Sequence, residues 1–250
     1  MHIAVVPETF RLAEAFTISR GSRTEARVLT VTVSDGAATG RGECVPYARY
    51  GETPESVTRQ IESLPESIDR DRLQALLPAG AARNAVDCAL WDREAKRAGR
   101  RVWELARLGA PKPLVTAYTL SLDTPERMRA AAARNAHRPL LKIKLGTPED
   151  MPRLEAVRAG APDARLIVDA NEGWTPEVYA DLAPDLLRLG VEMVKQPLPA
   201  GADEALRDMA RPLPVCADES CHDRASLPHL RGKYDMVNIK LDKTGGLTEA

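Results

Sequence analysis

Two lysines one residue apart, Lys142-Ile143-Lys144, are followed along the chain by Asp169, Asp218 and Lys240. Each closes a short aliphatic or β-branched run: LLKIK, LIVDAN, LPVCADES and MVNIK. In a strand, residues i and i+2 point the same way, so Lys142 and Lys144 present two ammonium groups to one face. Like charges on a shared face repel, which lowers a lysine pKa and makes a neutral amine available as a base. Lysines facing one another across two carboxylates suit proton abstraction next to a carboxylate, with a divalent metal holding the charge that develops.

Such side chains need a scaffold that brings strand ends together. From Leu114 onward, strands are expected to end near Thr119, Lys144, Asp169, Lys195, Asp218 and Lys240, at spacings of 25, 25, 26, 23 and 22 residues. Helices are expected between them, opening at Thr124-Pro125-Glu126, Thr147-Pro148-Glu149 and Thr175-Pro176-Glu177. Each opening offers a cap, a proline at the first helical position and an acidic first turn. This rhythm is the βα unit of an α/β fold, and polar residues at several successive strand ends favour a (β/α) barrel over an open sheet. Only six strands fit before Ala250, whereas eight would take roughly 60 to 80 more residues, so the chain reads as a fragment or an interrupted gene product.

The first part differs. Strands are expected at His2–Val6, Arg27–Val33 and Thr39–Glu43, then helices from Thr53-Pro54, over Ser67–Leu77 and over Ala81–Lys96. The division is therefore residues 1–111 as an α+β domain and 112–250 as the barrel domain, with Pro111-Lys112-Pro113 between them.

Within that frame Lys240 shares a face with Asn238 and lies four βα steps from Lys144, on the far side of a barrel. A base on either side of one carbon can remove a proton from one face and deliver it to the other, which racemisation requires. Asp169 and Asp218 suit a hard divalent cation such as Mg²⁺, and Asn171 and Glu219, just beyond, suit the orientation of ligands or of the Lys240 ammonium. Where a third carboxylate would be expected, at the end of the intervening strand, the sequence has Lys195. His137, His222 and His229 share no metal-ligand spacing. Gly245-Gly246 could approach an anion but lacks a phosphate-loop context. Trp91, Trp103 and Trp174 read as packing.

Lys plus Arg number 35 and Asp plus Glu 36, a formal charge of −1 that gives no electrostatic reason to expect nucleic acid or an anionic membrane. No stretch approaches a membrane span, and MHIAVVPETF lacks the pattern of a signal peptide, so a cytoplasmic protein is expected. Cys44, Cys88, Cys216 and Cys221 form no CxxC, and Cys88 and Cys216 read as reduced core residues.

The stretches FTISRGSRTEARV, GRGECVPYARYGE, NAVDCALWD, LLKIKLG, LIVDANEGW, KQPLPAGAD, ADESCH and NIKLDKTGGLTEA resemble the enolase superfamily. The resemblance is to its muconate-lactonising subgroup, and within it to L-Ala-D/L-Glu (dipeptide) epimerases. It implies an N-terminal capping domain whose loops near residues 16–24 and 44–52 close over an enolase-type barrel. It also implies Lys144 and Lys240 as the two acid/base residues, Lys142 as an enolate-stabilising cation, and Asp169 and Asp218 as Mg²⁺ ligands. Arg20 or Arg23 would meet the glutamyl carboxylate, since a guanidinium pairs bidentately with one. The substrate implied is a small dipeptide, epimerised by 1,1-proton transfer, with a homo-oligomer possible. A related cycloisomerase or dehydrating synthase, using the same enolate, is the alternative activity, and an inactive structural member of the lineage is a further one. The chain departs from the family at Lys195, where the family has glutamate, and in stopping before a seventh and eighth strand.

Overall fold

The computed structural model describes residues 1–250. It begins with an antiparallel sheet of β1 (His2–Ile18), β2 (Gly21–Ser34) and β3 (Thr39–Cys44), in that order. β1 and β2 run much further than the apolar pattern predicts. Beyond Val6 the β1 side chains are mostly exposed, so backbone pairing rather than burial extends the hairpin, and it carries no hydrophobic signature.

Four helices follow: α1 (Pro54–Glu62), α2 (Arg70–Leu76), α3 (Ala81–Ala98) and α4 (Val102–Leu105). Thr53 caps α1 by accepting from Ser56 N while its own N–H is taken by Ser56 Oγ. α2 starts later than expected because Asp69, not Ser67, caps it by accepting from Arg72 N. α3 lies unusually close to β3. A Cβ at Gly40 would be 2.0 Å from Ala89 O, and one at Gly42 would be 2.0 Å from Ala85 O. Leu29, Val31, Ile61, Leu73, Val86 and Leu90 form the core between sheet and helices, each full burial contributing about 1.5–3 kcal/mol.

The second unit is a sheet of six parallel strands in sequential order: β4 (Tyr118–Leu120), β5 (Leu140–Lys144), β6 (Arg165–Asp169), β7 (Val191–Lys195), β8 (Val215–Ala217) and β9 (Met236–Val237). The first crossovers carry α5 (Pro125–Arg134), α6 (Met151–Gly160) and α7 (Pro176–Arg188); the short α8 (Leu227–Leu230) and α9 (Leu241–Thr244) come later. This is a (β/α)-barrel type of domain behind a capping domain, with its own core of Leu141, Ile143, Leu166, Val168, Val194 and Val215. No helix is long and apolar enough to cross a membrane, and all four cysteines are free.

Thr124 and Thr175 cap α5 and α7 as their spacing predicts. Thr147-Pro148-Glu149 does not open α6, which begins at Met151. The buried Asp150 carboxylate instead gathers the loop, accepting from Gly146 N at 2.6 Å, Thr147 N at 2.8 Å and Trp174 Nε1 at 2.9 Å. Strand β9 also ends earlier than expected, at Val237, so Lys240 stands at the entry to α9 rather than on a strand.

The two units meet where α3 packs on α9. Arg83 donates to Thr244 O at 2.8 Å, Asn84 to Asp242 Oδ1 at 2.7 Å, and Thr248 to Asp87 Oδ1 at 2.6 Å. Gly245 and Gly246 belong to this junction rather than to an anion site. A Cβ there would fall 2.3 Å from Arg83 Nε and 2.5 Å from Asp87 Cβ, respectively.

Candidate functional site

Parallel pairing puts Lys144 beside Asp169, Asp169 beside Lys195, and Lys195 beside Cys216. Paired residues of neighbouring strands project to the same side, so this register alone lines up cation, anion and cation across three strand ends. They open into a cavity of about 510 Å³ that the two capping-domain loops cover with Phe16, Arg20, Arg23, Tyr47 and Tyr50. Lys142, Lys144, Asn171, Lys195, Glu219, Asn238, Lys240 and Lys243 line the opposite walls.

Lysines surround both aspartates, which are fully buried. Asp169 Oδ2 lies 2.7 Å from Lys142 Nζ, 2.8 Å from Lys144 Nζ and 2.9 Å from Lys195 Nζ. Asp218 Oδ2 lies 2.5 Å from Lys195 Nζ and 2.7 Å from Lys240 Nζ, while its Oδ1 takes Lys243 Nζ at 2.8 Å. Lys195 therefore bridges the two carboxylates. Lys142 and Lys144 meet on one carboxylate oxygen, an arrangement their i, i+2 spacing makes possible.

The environment acts on the lysines in opposite directions. Burial pushes Lys144 down to about 8, with Lys142 and Lys195 adding to the effect and Asp169 opposing it. Burial likewise lowers Lys142. It would lower Lys195 too, but Asp169 and Asp218 together outweigh it and hold that ammonium above its ordinary value. Burial would raise both aspartates; the surrounding ammonium groups reverse this and keep each carboxyl well below the usual range.

Around this centre, Asn171 accepts from Lys144 Nζ at 2.5 Å and donates to Glu219 Oε1 at 3.3 Å, its backbone held at φ 48°. Glu219 does not reach Lys240; it pairs with Arg20 at 2.9 Å, and its other oxygen is buried without a partner. Arg20 is further held by Asn171 O at 2.7 Å and Glu172 at 3.0 Å, and Arg49 closes on the same Glu172 at 2.8 Å. Arg23 is different: it is exposed at the cavity edge, with its guanidinium 5.6 Å from the Phe16 ring and no carboxylate partner. Asn238 lends its backbone carbonyl to Lys243 at 3.2 Å.

Two groups at this site escaped the sequence reading. Lys243 lies one helical turn beyond Lys240, an i, i+3 spacing that would have flagged it once the strand was known to end early. Gln196, next to Lys195, accepts from Asp218 N at 2.8 Å and Ser220 N at 3.1 Å and donates to Tyr234 Oη at 2.8 Å. It fixes the β8 terminus from the neighbouring strand. His222 packs on Tyr50 with ring centroids 4.8 Å apart and carries no metal-ligand geometry.

Residues 125–250 match the family described as enolase C-terminal domain-like, and residues 1–106 match the mandelate racemase / muconate lactonizing enzyme N-terminal domain. The chain is 49% identical to the L-Ala-D/L-Glu epimerase of Escherichia coli (strain K12), over 99% of its own length and 79% of that protein's. It superposes with TM-score 0.96 and 53% identity on an enolase family member from Agrobacterium tumefaciens with homology to dipeptide epimerases, solved with bound sodium and L-Ala-L-Glu; the match covers 99% of this chain and 77% of that one. The dipeptide epimerase from Enterococcus faecalis V583, complexed with Mg and L-Leu-L-Tyr, matches with TM-score 0.91 and 29% identity, covering 99% and 76%.

The donors here do not fit such a metal ion. No three His, Cys, Asp or Glu side chains converge on one point. Octahedral Mg²⁺ takes oxygens at about 2.0–2.1 Å and needs open positions for its other ligands, whereas the space between Asp169 and Asp218 is filled by Lys195 Nζ.

Proposed function

Because the chain belongs to the mandelate racemase / muconate lactonizing enzyme family of enolase-like proteins, we propose that it epimerises the glutamyl α-carbon of L-Ala-D/L-Glu dipeptides by two-lysine proton transfer. The relatives it matches include epimerases and a racemase, which supports isomerase chemistry. The observation that supports the rest is that Lys144, at the end of β5, and Lys240, just past β9, open into one cavity from strands four places apart.

In one direction the neutral amine of Lys144 takes the α-proton. The C–H electron pair moves into the adjacent carboxylate, giving an enediolate, and the Lys240 ammonium returns a proton to the opposite face. In the other direction the roles exchange. The low pKa of Lys144 supplies a neutral fraction near pH 8. Negative charge gathering on the enediolate oxygens is met by the ammonium groups of Lys142 and Lys195. Arg23 is free to take the glutamyl side-chain carboxylate, whereas Arg20 is already engaged by Glu172 and Glu219. The cavity is of a size that suits a dipeptide.

Incubation with L-Ala-L-Glu in D₂O tests the reading. Deuterium should enter at the glutamyl α-carbon and both epimers should accumulate, and Lys240→Ala should abolish exchange from one epimer far more than from the other. Unlabelled substrate recovered as a single epimer would sink it, and a product lacking the dipeptide skeleton would favour a cycloisomerase or dehydrating synthase. Lys195 between the aspartates favours a second reading, a carboxylate-binding relative without turnover. Saturable binding of the dipeptide with no exchange would select that one.

A further inference from the structure

Two buried carboxylates that share a site need a cation between them if both are to stay charged. In this chain that cation is covalently attached. Lys195 Nζ stands 2.9 Å from Asp169 Oδ2 and 2.5 Å from Asp218 Oδ2, and β7 delivers it there by pairing Lys195 with Asp169 of β6, past a register shift between Leu166 and Val168, and with Cys216 of β8. We infer that Lys195 is a tethered replacement for the divalent ion of its relatives, so that the site binds its carboxylate ligand through ammonium groups alone and takes up no divalent metal. The identity of that ligand rests on the function proposed above; the exclusion of metal does not.

The remaining aspartate lone pairs support this. Lys142 and Lys144 take Asp169 Oδ2 as well, and the backbone N–H of Asn171 takes Oδ1 at 3.2 Å. Lys240 and Lys243 take the two oxygens of Asp218. A metal between the aspartates would have to displace Lys195, whose ammonium both carboxylates share. Charge points the same way. Five ammonium groups face two aspartates, an excess of three positive charges when all are ionised. A divalent ion would add two more, whereas a ligand carboxylate would offset one. An ammonium has three donors, and two of those on Lys195 are used on the aspartates. Lys195 also lines the cavity. An ammonium can thus do part of a metal's work, attracting a carboxylate, without offering coordination sites.

Mn²⁺ titration followed by electron paramagnetic resonance tests the inference, Mn²⁺ being a hard octahedral probe. With the wild-type chain in excess the spectrum should remain that of the free ion, while Lys195→Glu should sequester one Mn²⁺ per chain. Sequestration by the wild type that is lost in Asp218→Asn would overturn the inference, since Lys195 would then have swung aside. A second measurement needs no variant: calorimetric affinity for L-Ala-L-Glu should agree within about twofold in EDTA and in excess Mg²⁺, and tightening by about tenfold or more with Mg²⁺ would equally overturn it. If the dipeptide neither binds nor exchanges, the functional reading fails, and the Mn²⁺ titration alone decides the role of Lys195.

Discussion

Arg20 and Arg23 stand three residues apart in the first hairpin, yet their surroundings give them different work. Arg20 neutralises Glu172 and Glu219, both nearly buried. Its removal would leave the Glu219 carboxylate without a cation, a loss on the order of 3–5 kcal/mol, while Arg49 would still hold Glu172. Arg23 has no carboxylate partner and faces the cavity. Arg23→Ala should therefore raise KM for L-Ala-L-Glu by about 10- to 100-fold, the value of one charge-assisted contact, with kcat little changed. Its thermal midpoint should stay near that of the wild type, whereas Arg20→Ala should lower the midpoint. Steady-state kinetics beside a melting curve separates the two. A KM effect confined to Arg20→Ala, in a chain of unchanged stability, would reverse the assignment.

At the scale of elements, the turn after β7 is fastened to the segment before β9 by one buried ion pair. Lys233 Nζ lies 2.7 Å from Asp203 Oδ1, and Ser220 and Tyr234 hydroxyls donate to the other oxygen at 2.6 Å each. Burial would raise the Asp203 pKa, but these three partners outweigh it and hold the carboxyl below its ordinary 3.8. A carboxyl with a depressed folded pKa binds its proton more readily in the unfolded chain. Its stabilisation is complete above the unfolded pKa and is lost as pH falls through the folded value. Urea midpoints should accordingly show Asp203→Asn well below the wild type at neutral pH, with the gap narrowing once pH drops below about 4. A gap independent of pH would mean that shape rather than charge makes this contact.

For the whole molecule, the capping unit and the parallel sheet are joined where α3 meets α9, and α9 begins immediately after Lys240. Gly246 has φ 108° and leaves no room for a Cβ beside Asp87. Gly246→Ala combines backbone strain with overpacking, together about 2–4 kcal/mol. The unfolding free energy should fall by that amount, read as a lower denaturant midpoint, and exchange dependent on Lys240 should weaken even where the chain remains folded. A variant of wild-type stability and exchange rate would show that the junction yields without consequence for the site.

The sequence alone determined the chemistry in outline and the order of the elements. Alternation places Lys142 and Lys144 on one face, aliphatic runs mark where β5, β6 and β7 end, and Thr-Pro pairs mark the starts of α1, α5 and α7, because all three signals act over a few neighbouring residues. The long exposed hairpin, the loop gathered by Asp150 and the early end of β9 were not legible, since backbone pairing and a buried carboxylate set them without a periodic pattern. Tertiary structure alone decided the partners. Register across three strands put Lys195 between Asp169 and Asp218, docking of the cap turned Arg20 onto Glu172 and Glu219, and the turn into α9 brought Lys243 onto Asp218. Those contacts join segments tens to hundreds of residues apart, and the free energy of a buried charge depends on what converges around it, which no local stretch of sequence contains.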